Sequence, residues 1–164
     1  MRLRFPGTPR SRRVRAGLLA IALLTAGLPA GGVAAEQAVQ LESAYSFTET
    51  LDRLRSTLES KGLTIFATLD HRAGALAAGL EMPPTTVLVY GNPKGGTPLM
   101  LAAPNFALEL PLRVLVRESE DGTTYVVFNP AESLEGRHGL PAGMAERLAG
   151  PEKLIAEAVG AAGD

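Results

Sequence analysis

The chain has 164 residues, with 16 lysines and arginines, 17 aspartates and glutamates, and no cysteine. Its length predicts about one domain, and the lack of cysteine excludes disulfides, thiolate chemistry, cysteine-ligated metals and a lipid-anchored lipoprotein. The charges are unevenly placed, because six arginines and no acidic residue lie in the first 15 positions.

The N-terminal segment has the three parts of a secretory signal. The arginines form a basic region, Ala16 to Ala30 is apolar apart from Thr25, and small residues follow at Gly31 to Ala35. The apolar run is shorter than the roughly 20 residues that span a bilayer. We therefore predict a signal peptide over residues 1–35, cleaved near Ala35, and a periplasmic or secreted protein with no membrane attachment after cleavage. An uncleaved anchor is the alternative, and both Sec and twin-arginine export stay open.

Cleavage would leave an acidic protein. Six of the 16 basic residues would be lost, which leaves 10 basic against 17 acidic residues. Nucleic acids require a basic surface, so this balance argues against a nucleic-acid partner. Residues 36–44 are predicted to be a short tether or a first strand, and residues 45–162 a single domain.

Strands and helices alternate in the first half of this domain. Ser46 to Glu49 fits a helix capping box, and the leucines at 51, 54 and 58 lie on one face of the helix that follows. Residues 63–69, LTIFATL, are β-branched and apolar, which predicts a strand buried on both faces. The alanine-rich residues 72–80 are typical of a short helix.

The most informative stretch is residues 82–100, MPPTTVLVYGNPKGGTPLM. Its two prolines lead into a buried strand over Thr85 to Tyr90. The GNPKGG segment is predicted to be a tight loop with a positive φ angle at Gly95. Thr97 is the predicted N-cap of the next helix, and Pro98 its first residue.

The second half begins with an antiparallel hairpin. Residues 112–118 and 123–128 alternate as strands around the Asp121-Gly122 turn signal. A short helix over 131–139 and two short helices within 141–160 follow. The order β-α-β-α-β-α-β-β-α predicts an α+β fold, with a mixed or antiparallel sheet and helices packed on one face.

Short segments in a fixed order carry a family resemblance. They are Thr64 to His71, Ala77 to Leu80, Pro83 to Thr85, Tyr90 to Lys94, Thr97 to Met100, Leu110 to Val114, and His138-Gly139. This set resembles the DUF302 family over residues 45–148. The resemblance implies a small domain with a TBP-like β-α-β(4)-α arrangement and, since some members form dimers, a homodimer. It implies no activity, because the biochemical role of the family is unassigned.

The GNPKGG segment is the first candidate site, for a small anionic ligand. Backbone N–H groups at Gly95 and Gly96, before a helix N-terminus, can hold an anion. Lys94 would add positive charge, and Asn92 or Thr97 a hydrogen bond. It is not a P-loop, since Lys94 precedes the two glycines. A turn with a purely structural role is the alternative.

His71 and His138, the two histidines of the chain, are the second candidates. With Asp70 or Glu135 they can form a metal site or an acid/base pair, although no HxH or HExxH spacing supports one. The alternative is that both histidines have structural roles. No serine lies in a G-x-S-x-G elbow, which argues against a hydrolase.

The sequence therefore predicts an exported, non-catalytic domain that binds a small ligand or a protein partner. It predicts no cofactor, no metal and no catalytic residue. The alternative is a small metal-binding protein or enzyme that uses His71 and His138. The distance between these two side chains decides between the hypotheses, because ligand bonds to zinc are only about 2 Å long.

Overall fold

Five antiparallel strands form one sheet in the computed structural model, which describes residues 38–161. The strands are β1 (Val39–Glu42), β2 (Thr64–Asp70), β3 (Thr85–Gly91), β4 (Leu112–Glu118) and β5 (Thr124–Phe128). Their order in the sheet is β1-β5-β4-β3-β2, and each neighbouring pair is antiparallel. The predicted signal peptide lies outside the described residues.

The described part of the chain has four α-helices and four short 3-10 helices. The α-helices are α1 (Phe47–Ser60), α2 (His71–Ala77), α3 (Pro93–Ala102) and α4 (Gly150–Ala158). The 3-10 helices are Pro104–Glu109, Ala131–Leu134, Arg137–Gly139 and Ala145–Leu148. The order of strands and α-helices confirms the predicted order and the α+β fold.

The main hydrophobic core lies between one face of the sheet and helices α1 and α4. Ser46 caps α1 by accepting the N–H of Glu49 at 3.4 Å, as the capping box predicts. Leu54 and Leu58 of α1 are fully buried in this core. Ile155 of α4 is fully buried beside them. Both helices therefore cover the same side of the sheet.

A second hydrophobic cluster lies under α3 and the 3-10 helices. Phe106 and Leu99 are fully buried in it. Leu112, at the start of β4, packs against both this cluster and the main core. The other buried members are Ala103, Ala131, Leu134, Leu140, Ala145 and Leu148. This cluster fixes the position of α3 relative to the sheet.

The opposite face of the sheet carries a row of apolar side chains that neither cluster includes. Leu69, Val87, Leu115 and Val127 are register partners across β2, β3, β4 and β5. Leu69 is 48% exposed, and the other three are partly exposed. This row is an apolar stripe on the side away from α1 and α4.

The prediction that β2 is buried on both faces is wrong. β2 is an edge strand, and a bulge between Ile65 and Ala67 shifts its register against β3. Phe66, at the bulge, is 51% exposed. An apolar, β-branched sequence predicts a strand but does not say whether a neighbour will cover it, because that depends on the topology.

The predicted hairpin of β4 and β5 is confirmed, and its turn contains Asp121 and Gly122. Gly122 has φ +84°, which a glycine adopts without strain. The Asp121 carboxylate accepts hydrogen bonds from the Ser119 hydroxyl at 2.6 Å and the Thr123 N–H at 3.0 Å. The Ser119 bond, followed by the Thr123 bonds, lowers the pKa of Asp121 from 3.8 to about 2.

This lowered pKa predicts acid-sensitive stability in the hairpin turn. Because the folded-state pKa lies below the unfolded value, the contribution of Asp121 is fully present above about pH 4 and is lost as the pH falls towards 2. We expect the difference in melting temperature between the wild type and Asp121→Asn to shrink over this range. A difference that stays constant from pH 6 to pH 2 would contradict the assignment.

Candidate functional site

Helix α3 begins earlier than the sequence predicts. Asn92 is its N-cap, and the Asn92 side-chain oxygen accepts the N–H of Lys94 at 2.9 Å. Pro93 is the first helical residue, a position where proline loses no hydrogen bond. The predicted N-cap, Thr97, and the predicted first residue, Pro98, both lie inside the helix. The GNPKGG segment is therefore mostly a first helical turn and not a loop.

The positive φ angle expected at Gly95 is also absent. Gly95 is in the first turn of α3, and it is not among the glycines with positive φ in the described residues. Gly96 has a different reason to be glycine. A Cβ at Gly96 would lie 3.2 Å from the Leu110 Cδ1 atom, so this helix passes close to the segment that precedes β4.

Replacing Gly95 with alanine should therefore stabilise the protein. A Cβ at position 95 meets no atom within 4 Å, and alanine favours a helix over glycine by about 0.5–1 kcal/mol. We expect urea unfolding to show a gain of about this size. The control is Gly122→Ala, which should destabilise because Gly122 has φ +84°. A loss of stability in Gly95→Ala would contradict the helical assignment.

An apolar cavity of about 370 Å³ lies beside the N-terminal end of α3. Its volume is within the range of roughly 300–1,000 Å³ that is usual for small-molecule sites. The wall combines residues from β2, the end of β3, α3, the segment before β4, the 3-10 helix Ala145–Leu148 and the start of α4. Among them are Leu63, Phe66, Gly91, Met100, Leu110, Pro111, Leu112, Arg147, Leu148 and Pro151.

Four of the predicted ligand-binding residues line this cavity. They are Asn92, Gly95, Gly96 and Thr97. Lys94 is exposed and does not line it. The structure thus brings together most of the predicted GNPKGG site, but around an apolar space and not around a cluster of free backbone donors.

The backbone donors proposed for anion binding already have acceptors. The side-chain oxygen of Asn92 accepts the N–H of Lys94. The backbone carbonyl oxygen of Asn92 accepts the N–H groups of Gly95 and Gly96, both at 2.9 Å. Pro93 has no N–H to offer. The N–H groups of Lys94, Gly95 and Gly96 at the start of α3 therefore already donate to oxygens of Asn92. They are not free to form the anion site that the sequence predicts.

His138 contacts a carboxylate that the sequence analysis did not identify. Its Nε2 atom lies 2.9 Å from Glu109, and the Arg137 guanidinium lies 3.6 Å from the same carboxylate. The expected partner, Glu135, instead accepts the backbone N–H groups of Gly143 and Ala145. His138 has φ 52° in a tight turn, so its backbone conformation serves the turn.

His71 lies at the other end of the sheet. It begins α2, and the preceding residue, Asp70, caps that helix by accepting the N–H of Ala73. Asp70 pairs with Thr86 near the start of β3. Glu109, the partner of His138, shortly precedes Leu112, which pairs with Tyr90 near the end of β3.

The four residue steps from Thr86 to Tyr90 correspond to about 13 Å of extended strand. The structure therefore does not bring His71 and His138 into one site. Among residues 38–161, no group of three histidine, cysteine, aspartate or glutamate side chains is arranged to hold a metal ion. The geometry gives no support to the metal or enzyme alternative.

The aromatic residues serve mainly as core. Phe106 and Phe128 are buried, and Tyr125 is partly exposed beneath the Arg117 guanidinium at 4.7 Å. Tyr90 is 3% exposed, and burial, assisted by the charge of Glu152, raises the pKa of its phenol well above the ordinary value. Tyr90 is thus protonated at neutral pH and is unsuited to act as a general base.

The comparison with protein families decides the identity of the domain. Residues 39–158 match the family described as "Domain of unknown function DUF302". The chain belongs to the DUF302 family. A crystal structure of an uncharacterized conserved DUF302 protein from Bacillus stearothermophilus has the same fold, with a TM-score of 0.65 and 21% identity. The match covers 76% of this chain and 96% of that one.

Two relatives from Brucella carry a functional name. The "Fluoride-specific ion channel FluC 1" proteins of Brucella suis and Brucella abortus are each 39% identical to this DUF302 protein over 102 residues, which is 62% of the chain. The match covers 40% of the first relative and 38% of the second. The chain therefore spans about two fifths of the length of these relatives. Within residues 38–161, no helix has the length and apolar character needed to cross a membrane.

Proposed function

We propose that this DUF302 domain is a non-catalytic module that binds a small, largely apolar ligand in the cavity beside α3. The observation that carries the proposal is that Asn92, Gly95, Gly96 and Thr97 line one apolar space of about 370 Å³. Cavities of this size, with mainly apolar walls and a few polar groups, are the usual form of a small-molecule site.

The cavity wall explains why the ligand should be mainly apolar. Phe66, Met100 and Leu110 contribute side chains to it, and Phe66 is 51% exposed, an unusual fraction for a phenylalanine in a folded domain. A ligand that covers this ring would remove apolar surface from water, worth about 25 cal/mol per Å². The hydroxyl of Thr97 supplies a polar group that can orient the ligand.

A titration of the purified protein with 1-octanol, followed by amide NMR, tests the proposal. We expect the amides of Gly95, Gly96 and Leu110 to shift with a saturable dependence on concentration. Gly95→Leu should weaken this binding, because it adds a bulky side chain at a residue that lines the cavity and whose Cβ meets no atom within 4 Å.

The matched control is Gly74→Leu in α2. A Cβ at Gly74 also meets no atom within 4 Å, but this residue does not line the cavity. Gly74→Leu should bind octanol as the wild type does. Shifts that never saturate, or binding that is as strong in Gly95→Leu as in the wild type, would overturn the proposal.

The name of the Brucella relatives makes fluoride a necessary second probe. Fluoride is a small hydrated anion, and the first-turn N–H groups that would bind it are occupied by Asn92. We therefore expect sodium fluoride, compared with sodium chloride at equal concentration, to leave the Gly95 and Gly96 amides unshifted. Specific fluoride shifts at these amides would favour a direct role in fluoride recognition over an apolar ligand.

Export is a further part of the proposal, and it is supported by the basic, apolar and small-residue regions of residues 1–35. We expect protein recovered from the cell envelope or the medium to begin at Glu36. Mass spectrometry of the N-terminus checks this. A chain that retains residues 1–35 in the membrane fraction would support the anchor alternative.

We also propose that the protein forms a homodimer through the apolar stripe of Leu69, Val87, Leu115 and Val127. Exposed apolar rows of this kind are typical of interaction surfaces, and the flat side of a sheet can pair with its own copy around a twofold axis. Sedimentation velocity should show a dimer that Val127→Asp converts to a monomer.

The control for the dimer is Leu101→Asp, since Leu101 is 79% exposed on α3 and is not part of this stripe. It should leave the dimer intact. A wild-type protein that sediments as a monomer at every concentration tested would remove the dimer from the proposal and leave the cavity unaffected.

A further inference from the structure

Among residues 38–161, the wall of the cavity contains a single charged side chain, that of Arg147. The remaining polar side chains are those of Asn92 and Thr97, and the Asn92 oxygen is already used in capping α3. Any charged group on a bound ligand would therefore meet a guanidinium and no carboxylate from the wall.

Arg147 is held at the cavity by its neighbours in the chain. It lies in the 3-10 helix Ala145–Leu148, and its backbone N–H donates to the Met144 carbonyl at 3.3 Å. The next residue, Leu148, is only 8% exposed and also lines the cavity. The buried leucine thus anchors the short helix, while the arginine side chain remains at the surface.

The guanidinium of Arg147 has no carboxylate partner among residues 38–161. Arg53 and Arg137, by comparison, form ion pairs with Glu49 and Glu109. Arginine has five N–H donors in a planar arrangement that matches the two oxygens of a carboxylate. Arg147 can offer these donors to a ligand without first breaking an ion pair within the described fold.

We infer that the ligand of this site is an apolar carboxylate, with its hydrocarbon part in the cavity and its carboxylate on Arg147 at the rim. This inference rests on the proposed small-ligand function. The chain after residue 35 carries 10 basic against 17 acidic residues, so its overall field repels anions. A local arginine is therefore needed to bind an anionic ligand, and Arg147 is the cation that the cavity wall provides.

The test compares octanoate with 1-octanol, which share a hydrocarbon chain and differ in charge. Calorimetry and the Gly95 and Gly96 amide shifts report binding. We expect octanoate to bind about tenfold more tightly than octanol, as a charge-assisted contact at a surface arginine provides. Arg147→Gln should remove this preference without changing octanol binding, and Arg147→Lys should retain part of it.

The control variant is Arg72→Gln, which removes an exposed arginine near the other end of the sheet and should leave the preference unchanged. Raising the salt concentration provides a second test on the unmutated protein. The octanoate preference should shrink as salt screens the contact, while octanol binding persists. The salt dependence tests the charge contact on the unmutated protein, so it applies even if Arg147→Gln does not fold.

The outcomes separate the inference from the proposed function. Octanol and octanoate that bind the cavity equally, or a preference that survives in Arg147→Gln, would overturn the carboxylate inference and leave the cavity as an apolar ligand site. Failure of octanol binding to reach saturation would overturn the proposed function, and the inference with it. Tighter binding of octanoate that depends on Arg147 supports both.

Discussion

Replacing Phe106 with alanine is expected to lower the free energy of unfolding by about 3–5 kcal/mol. Phe106 is fully buried in the second hydrophobic cluster, together with Leu99 of α3. Truncation of the Phe106 side chain would leave a cavity that the neighbouring side chains fill only in part, and this lowers the stability of the folded state. Urea unfolding measures the loss.

A residue two positions away provides the control. Leu108 belongs to the same 3-10 helix, Pro104–Glu109, but is 73% exposed. Leu108→Ala should change stability by less than about 0.5 kcal/mol. Because Leu148 belongs to the same cluster as Phe106 and also lines the cavity, Phe106→Ala should weaken octanol binding as well. Equal effects of the two variants would show that the second cluster contributes little.

Leu54→Ala is expected to cost about 2–5 kcal/mol, since Leu54 is a fully buried side chain of α1 in the main core. This loss concerns the packing of α1 on the sheet and not the cavity. The Gly95 and Gly96 amides should therefore respond to octanol as in the wild type under conditions where Leu54→Ala is folded.

Leu76→Ala is the matched change for this second prediction. Leu76 lies on the short helix α2 and is 55% exposed, so truncation should have an effect within about 0.5 kcal/mol. A Leu54→Ala variant as stable as Leu76→Ala would mean that α1 is not held by the contacts described.

The elements with strong local patterns were predictable from the sequence. Helix α1 has leucines at helical spacing and a capping box, and the β4–β5 hairpin has alternating apolar residues around Asp121-Gly122. In both cases the signal lies within a dozen or so neighbouring residues, and packing reinforces the local preference. The order of elements followed from these signals.

The start of α3 was not predictable, because the chain offers two equivalent signals. Asn92-Pro93 and Thr97-Pro98 are both an N-cap residue followed by proline. Choosing the first places Gly95 and Gly96 inside a helix, at a cost of roughly 1 kcal/mol each. Burial of Leu99 and the close contact of Gly96 with Leu110 favour this choice, and both depend on the tertiary structure.

The site was predictable only in part for the same reason. Asn92, Gly95, Gly96 and Thr97 are close in sequence, and one unusual segment revealed them together. Phe66 reaches the cavity through a β-bulge, and Arg147 reaches it from a 3-10 helix about 50 residues after α3 starts. No local pattern connects these residues, so only the folded chain brings them to one wall.

The pairing of β1 with β5 has a consequence for how the chain reaches its fold. Val39 in β1 lies opposite Phe128 in β5. The hydrogen bonds of β1 to the sheet can therefore form only after β5 has been synthesised. The pairing of β1 with β5 is slow because it closes a long stretch of chain. Until the two strands pair, β1 can associate with other chains. β1 has only four residues, and its exposed Gln40 and Glu42 alternate with Val39 and Leu41. A short strand with polar residues on one side is a poor template for pairing with another chain.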